Sequence, residues 1–232
     1  VFLIIIINTE FNMELITLYG AHLSPYVRKT RLVLAFKNIT YTHIPVVPFG
    51  SGQPAEFKEN SPLGKIPLLK VGEQYIPDST VICAFLEREV SSPSMLPSNN
   101  LDIARAQWFE EYADTFMVTC IGGHLFAEKV LAPLIFKREP IQSDIDIAIN
   151  EEIPAIFNYL TKELKSDYLV GNTLSIADIA VCSVFVAMHH CQVTCDLAQW
   201  PELAAYIDRV TSLEFFQKIV VEEQMMLKAL AR

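Results

Sequence analysis

A chain of 232 residues is too long for a minimal domain and suits one large domain or two small ones. Its residues are 51% hydrophobic, ample for a packed core, and its net charge of −9 leaves no basic surface for a nucleic-acid or anionic-membrane partner. Cys83, Cys120, Cys182, Cys191 and Cys195 are an odd set with no CxxC pair. That pattern argues against a disulfide framework and for a reducing compartment, so the expected address is the cytoplasm.

The chain opens "VFLIIIINTEFNMEL". The apolar run is far shorter than the ~20 residues that span a bilayer, and it lacks the basic start and small-residue cleavage site of a signal peptide. The expectation is that translation begins at Met13 and that residues 1–12 are an upstream extension. From residue 14 to about 90, strands and helices alternate. Residues 16–19 read as a strand, and 25–37 as a helix with Val27, Leu32, Leu34 and Ala35 as its apolar positions. Arg28, Lys29 and Arg31 add one helix turn's worth of positive charge. Residues 40–47 alternate as a second strand, "PAEFKEN" is a short helix or turn, and 66–71 and 74–76 are strands about a "VGEQ" turn. Residues 80–90 are helical, with Val81, Ile82, Phe85 and Leu86 on one face. The order βαβαββα places a small mixed sheet between helices.

The Ser/Pro-rich "SSPSMLPSNN", residues 91–100, has no helical period and reads as a linker. Everything after it reads as helix. Asn100 can cap a long helix carrying Ala104, Trp108, Tyr112, Phe116 and Cys120 at four-residue spacing, read mainly as a core stripe. Gly122–Gly123 and Pro133 are expected to interrupt it. Further helices are expected near 144–165, 176–191, 201–210 and 213–229. In "LSIADIA", Ser175 at N-cap and Asp178 at N3 form a capping box, with Leu174 and Ile179 as its hydrophobic staple. "HHCQVTC" holds metal-ligating residue types, but adjacent histidines point about 100° apart on a helix, and no metal site is expected.

Four pieces in order, "LSPYVRKTR", "NSPLGKIPLL", "IPDSTVICAFLE" and "GNTLSIADIA", resemble the soluble glutathione transferases over nearly the whole chain from Met13. The resemblance implies a thioredoxin-like domain over 13–90, a linker over 91–100 and an all-helical domain over 101–232. It also implies a homodimer, glutathione as co-substrate, no metal, and a hydrophobic electrophile as the second substrate.

Ser24 carries the sharpest expectation. Serine before proline is a common helix start, an N-cap with proline at N1. The resemblance makes it also the catalytic residue, whose hydroxyl donates to the sulfur of glutathione. Tyr19 is the rival donor near the end of the first strand. A serine-hydrolase reading fails for want of a GxSxG motif. The resemblance further implies that Ile66–Pro67 is cis and that the Ile66 backbone pairs with the cysteinyl part of glutathione. Ser79, read as a helix cap, would take the γ-glutamyl carboxylate, with Asp78 orienting the ammonium and Lys65 meeting the glycine carboxylate. Gln53 is a looser candidate for that carboxylate. His22, Tyr112 and Phe116, with Tyr26 and His124, are candidates for lining the electrophile pocket. The alternative functions are a non-catalytic adaptor of the same fold, or a glutathione-dependent peroxidase or isomerase.

Overall fold

The computed structural model describes residues 16–49 and 51–231. The expectation about residues 1–12 and Met13 lies outside them. Strand β1 (Ile16–Tyr19), helix α1 (Pro25–Phe36), β2 (Thr42–Ile44), α2 (Ala55–Asn60), β3 (Leu68–Val71), β4 (Gln74–Pro77) and α3 (Ser79–Glu89) follow one another in the expected βαβαββα order. The sheet runs β2-β1-β3-β4, with β1 parallel to β2 and antiparallel to β3, and β3 antiparallel to β4. Alternation sorts its two faces. Ile16, Leu18 and Leu69 enter the main core, while Tyr19 and Leu68 pack with Val46 and Phe57 on the other side. The second strand, Thr42–Ile44, is shorter than its alternating pattern, although Val46 beyond Pro45 still donates to the Gly20 carbonyl at 3.2 Å.

Helix α4 (Asn100–Tyr112) runs without a break into π-type turns over Ala113–Phe136. Then come α5 (Gln142–Ile147), a π turn (Ala148–Glu152), α6 (Ile153–Glu163), α7 (Ile176–His190), α8 (Pro201–Thr211) and α9 (Glu214–Leu230). Two expectations fail here and a third holds only in part. The cap of α4 is Asn99, whose side chain accepts from the Asp102 N–H at 2.9 Å, and not Asn100. Gly122, Gly123 and Pro133 lie inside the helical run and do not end it. The stripe is core only in part: Trp108 is 53% and Phe116 45% exposed, while Cys120 is buried and Tyr112 half-buried against the core. The inward face is Ala106, Phe109, Ala113, Met117 and Ile121, all buried. Both sets recur every three or four residues, so spacing alone identified a stripe without saying which one faces inward. Helix Asn100–Phe136 is long and apolar enough to cross a membrane, but its buried face packs in the core as a globular helix does.

Helix α7 is buried along nearly its whole length, and its start is held as the capping box requires. Asp178 Oδ2 accepts from the Ser175 N–H at 2.8 Å, and its Oδ1 accepts from the Leu169 N–H and the Tyr206 hydroxyl. The α/β and helical halves meet along α1, whose basic residues are interior. Arg28 and Lys29 are fully buried. Arg28 Nε and Nη2 donate to Glu223 of α9 at 2.7–2.9 Å, Nη1 donates to the Ser183 carbonyl of α7, and His190 Nε2 lies 2.7 Å from Glu223 Oε2. Lys29 donates to Glu110 at 2.8 Å, to Asp114, and to Thr80 of α3 at 3.1 Å.

Burial alone would raise the Glu223 carboxyl, but the charge of Arg28 and the His190 hydrogen bond outweigh it and hold it below the usual range. A folded-state pKa below the unfolded one contributes stability that is complete above the unfolded value and lost as pH falls through the folded value. Glu223→Gln leaves Arg28 buried without its counter-charge. The expected cost is about 3–5 kcal/mol at neutral pH, measured by denaturant unfolding. The variant should also lose less stability than the wild type on acidification below about pH 4.5. A cost under about 1 kcal/mol would show that the pair does not hold the halves together.

Candidate active site

The C-terminal ends of β1 and β2 and the first turns of α1 and α3 converge on one side of the sheet. The chain leaves β1 at Gly20, where a Cβ would collide with the Val27 side chain, so only glycine allows this close a return to α1. Ala21–Ser24 closes as a turn, with the Ser24 N–H donating to the Ala21 carbonyl at 3.1 Å. Ser24 is the N-cap of α1 in extended conformation (φ −72°, ψ 128°), half-buried, with Pro25 at N1. Its Oγ accepts from the Val27 N–H at 3.5 Å, the outer limit of a hydrogen bond. The hydroxyl proton has no acceptor among the described residues, so Ser24 remains a donor.

Tyr19 is committed elsewhere. Its hydroxyl donates to Glu56 of α2, which also accepts from the Tyr75 hydroxyl and from Lys70 at 2.5 Å. Burial and that bond push the Tyr19 hydroxyl up to about 12, and the hydrogen bonds from Lys70, Tyr19 and Tyr75 pull the Glu56 carboxyl down to about 2. This cluster pins α2 to the sheet face opposite α1.

Ile66–Pro67 is cis. Ile66 precedes β3, and its backbone N–H and C=O have no partner among the described residues. Lys65 beside it is exposed, and its ammonium has no ion pair among them. The cap of α3 is Asp78, not Ser79. Asp78 Oδ1 accepts from the N–H groups of Thr80 and Val81 at 2.9 and 3.1 Å, leaving Oδ2 without a partner among the described residues. Sequence reasoning put the cap one residue late because serine and aspartate are equally good caps. Asp78 stands at φ +77°, a conformation non-glycine residues rarely adopt and one that concentrates at functional positions. Ser79 follows at the first position of the helix, buried, and its hydroxyl has no partner among the described residues.

The two helix starts share one polar junction. Lys29 reaches Thr80 in the first turn of α3, Thr80 donates to Asp114 Oδ2 at 3.1 Å, and the Tyr26 hydroxyl donates to the Asp114 carbonyl at 2.8 Å. Sequence reading missed Lys29, Thr80 and Asp114. The available signal was α1 itself: Val27, Leu32, Val33 and Leu34 leave it no wholly polar face, so its cations had to be buried and paired.

The structure divides the remaining candidates. The His22 ring lies 4.1 Å from that of His43, whose Nε2 donates to the Gly20 carbonyl at 2.9 Å. Burial, aided by the charge of Arg31, lowers both histidines, His43 to about 4, so both rings are neutral near pH 7. Tyr112 and Phe116 instead join Trp108 and Tyr159 in an aromatic group on α4, the π-type run that continues it, and α6. No ring contact or hydrogen bond joins that group to His22 among the described residues. His124 Nδ1 lies 2.8 Å from Glu152, and Gln53 Nε2 donates to the carbonyl of Val47 in its own loop.

Residues 18–94 match the family model described as glutathione S-transferase, N-terminal domain, and residues 125–214 match glutathione S-transferase, C-terminal domain. The chain is 31% identical to the GST-like protein YibF of Escherichia coli (strain K12) over 172 residues, covering 72% of this chain and 79% of that one. It is 25% identical to glutathione S-transferase Z2 of Arabidopsis thaliana over 223 residues, covering 93% and 95%. A glutathione S-transferase structure from Rhodospirillum rubrum F11 superposes with a TM-score of 0.80 at 23% identity, covering 88% of this chain and 91% of that chain, a likeness of fold.

If Glu56 anchors α2, Glu56→Gln should raise amide hydrogen exchange over residues 55–60 by about tenfold or more while α1 stays protected. Unchanged exchange in α2 would mean that Phe57 packing alone holds it.

Proposed function

The chain belongs to the glutathione S-transferase family, and on that premise we propose that it binds reduced glutathione, stabilises its thiolate through the Ser24 hydroxyl and directs it at an electrophile. The observation that carries this reading is Ser24 itself: a hydroxyl at the positive end of α1, with a long cap bond and a free proton. In this reading the unpaired backbone of Ile66 receives the cysteinyl segment as an added strand would. The Ser79 hydroxyl takes the γ-glutamyl carboxylate, Asp78 Oδ2 meets the ammonium, and Lys65 meets the glycine carboxylate.

The energetics suffice without a base. A free thiol ionises near pKa 8.5, so only a few per cent is thiolate at neutral pH. Lowering that value by ~2 units takes ~2.7 kcal/mol. A hydrogen bond to a charged acceptor supplies ~1.5–3 kcal/mol, and the helix end ~0.3–1 kcal/mol more. The thiol proton leaves to solvent, Ser24 donates to the sulfur left behind, and the bound geometry supplies proximity for attack. Tyr19, already donating to Glu56, is not needed.

The test is the ultraviolet absorbance of the thiolate of bound glutathione against pH. The wild type should show a pKa about 2 units below the free thiol, and Ser24→Ala should return most of that shift. Tyr19→Phe should leave it in place, with turnover within about threefold of wild type. Glutathione that binds without a shift would make Ser24 a helix cap only, and a protein that passes through a glutathione-affinity column unretained would be an adaptor.

A further inference from the structure

The carbonyls of the residues before and after Ser24 are both gripped by buried donors. The Pro25 carbonyl accepts from the Ser183 hydroxyl of α7 at 2.7 Å, and the Leu23 carbonyl accepts from Arg28 Nη2 at 3.3 Å. Ser183 is 1% exposed and Arg28 fully enclosed, so water competes with neither bond. The Ser24 side chain has only a weak hold of its own, the 3.5 Å bond from the Val27 N–H. Where its hydroxyl points is therefore set by the backbone on either side of it.

The grip of Arg28 is in turn set by α7. Its Nη1 donates to the Ser183 carbonyl, so one residue holds the guanidinium with its backbone and Pro25 with its side chain. The other edge of the guanidinium rests on Glu223, whose Oε2 accepts from Arg28 Nη2 at 2.7 Å and lies 2.7 Å from His190 Nε2. The His190 side chain is 1% exposed, whereas His189 beside it faces solvent. The adjacent histidines of "HHCQVTC" thus part as the helix turns, and the inner one backs the carboxylate that seats Arg28. Ser183 and His190 stand seven positions apart, two turns along one face of α7.

We propose that Ser183 and His190 are positioning residues for Ser24, one acting directly on the Pro25 carbonyl and the other through Glu223, Arg28 and the Leu23 carbonyl. The assignment rests on the glutathione reading above. Both residues act through the backbone and not on the sulfur. A hydrogen bond weakens steeply as donor and acceptor lose alignment, so loosening either carbonyl costs the thiolate part of its stabilisation.

The test is the midpoint of the thiolate absorbance of bound glutathione against pH. Ser183→Ala should raise that midpoint by about half a pH unit, which is about threefold less thiolate on its acid side. His190→Leu should move it the same way, to about twofold less thiolate. His190→Gln, whose amide N–H can stand in for Nε2, should restore the wild-type midpoint. Loss of folded protein lowers the amplitude of the absorbance change and leaves the midpoint alone. Ile156→Val, in the buried face of α6, should therefore reduce stability without moving it. A lowered wild-type midpoint that Ser183→Ala leaves in place overturns the assignment while the glutathione reading stands. A wild-type midpoint equal to that of free glutathione overturns the reading and the assignment together. If His190→Gln is shifted as far as His190→Leu, or neither is shifted, His190 is a packing residue and its part of the assignment falls.

Discussion

Arg28 has no route to water, so its guanidinium must find its counter-charge and its acceptors inside the protein. It finds them on α9 and α7, through Glu223 and the Ser183 carbonyl, and this one requirement locks the α/β half to the helical half. The Ser183 hydroxyl closes the arrangement by donating to the Pro25 carbonyl at 2.7 Å. The next residue, Lys29, does the same for α4 and α3. Neither cation is a surface charge that could be lost cheaply. The helix that carries Ser24 cannot shift without breaking buried bonds to four other helical segments.

In the proposed reading, that constraint is what lets a weak chemical group serve as a catalytic donor. A serine hydroxyl has little acidity, so its effect on a thiolate depends on being held where the sulfur arrives. Pro25 sets the first helical residue, Gly20 permits the tight exit from β1, and Ser183 clamps the Pro25 carbonyl from the helical half. The start of α3 is joined to the same frame through Thr80 and Asp114. In the proposed reading both ends of the peptide substrate are measured against one rigid junction. The residues proposed for the second substrate share no such junction: His22 stacks on His43, while Tyr112 and Phe116 stack with each other and with Trp108 and Tyr159.

The parts legible in the sequence are those that local chemistry determines. The βαβαββα order, the start of α1 at Pro25 and the Ser175–Asp178 box all follow from residues within a few positions of one another. What was not legible depends on distant partners. The burial of Arg28 required Glu223, and the commitment of Tyr19 required Glu56, 37 residues away. The Trp108, Tyr112 and Phe116 stripe was visible, but its orientation depended on the small residues Ala106 and Ala113 seating α4 against its neighbours. Asp78 was passed over as the cap because nothing local separates aspartate from serine, and its positive φ is set by the tight step from β4 into α3.

The Arg28–Glu223 pair also has a direction in time. The two residues stand 195 positions apart, and Arg28 is made first. At roughly 5–20 residues per second, the ribosome leaves the guanidinium without its carboxylate for about 10–40 s. During that interval the sheet and α1 can pair locally, but the interior seat for Arg28 does not yet exist. The helix that carries Glu223 therefore completes the seat of the one that carries Arg28, although it is synthesised later.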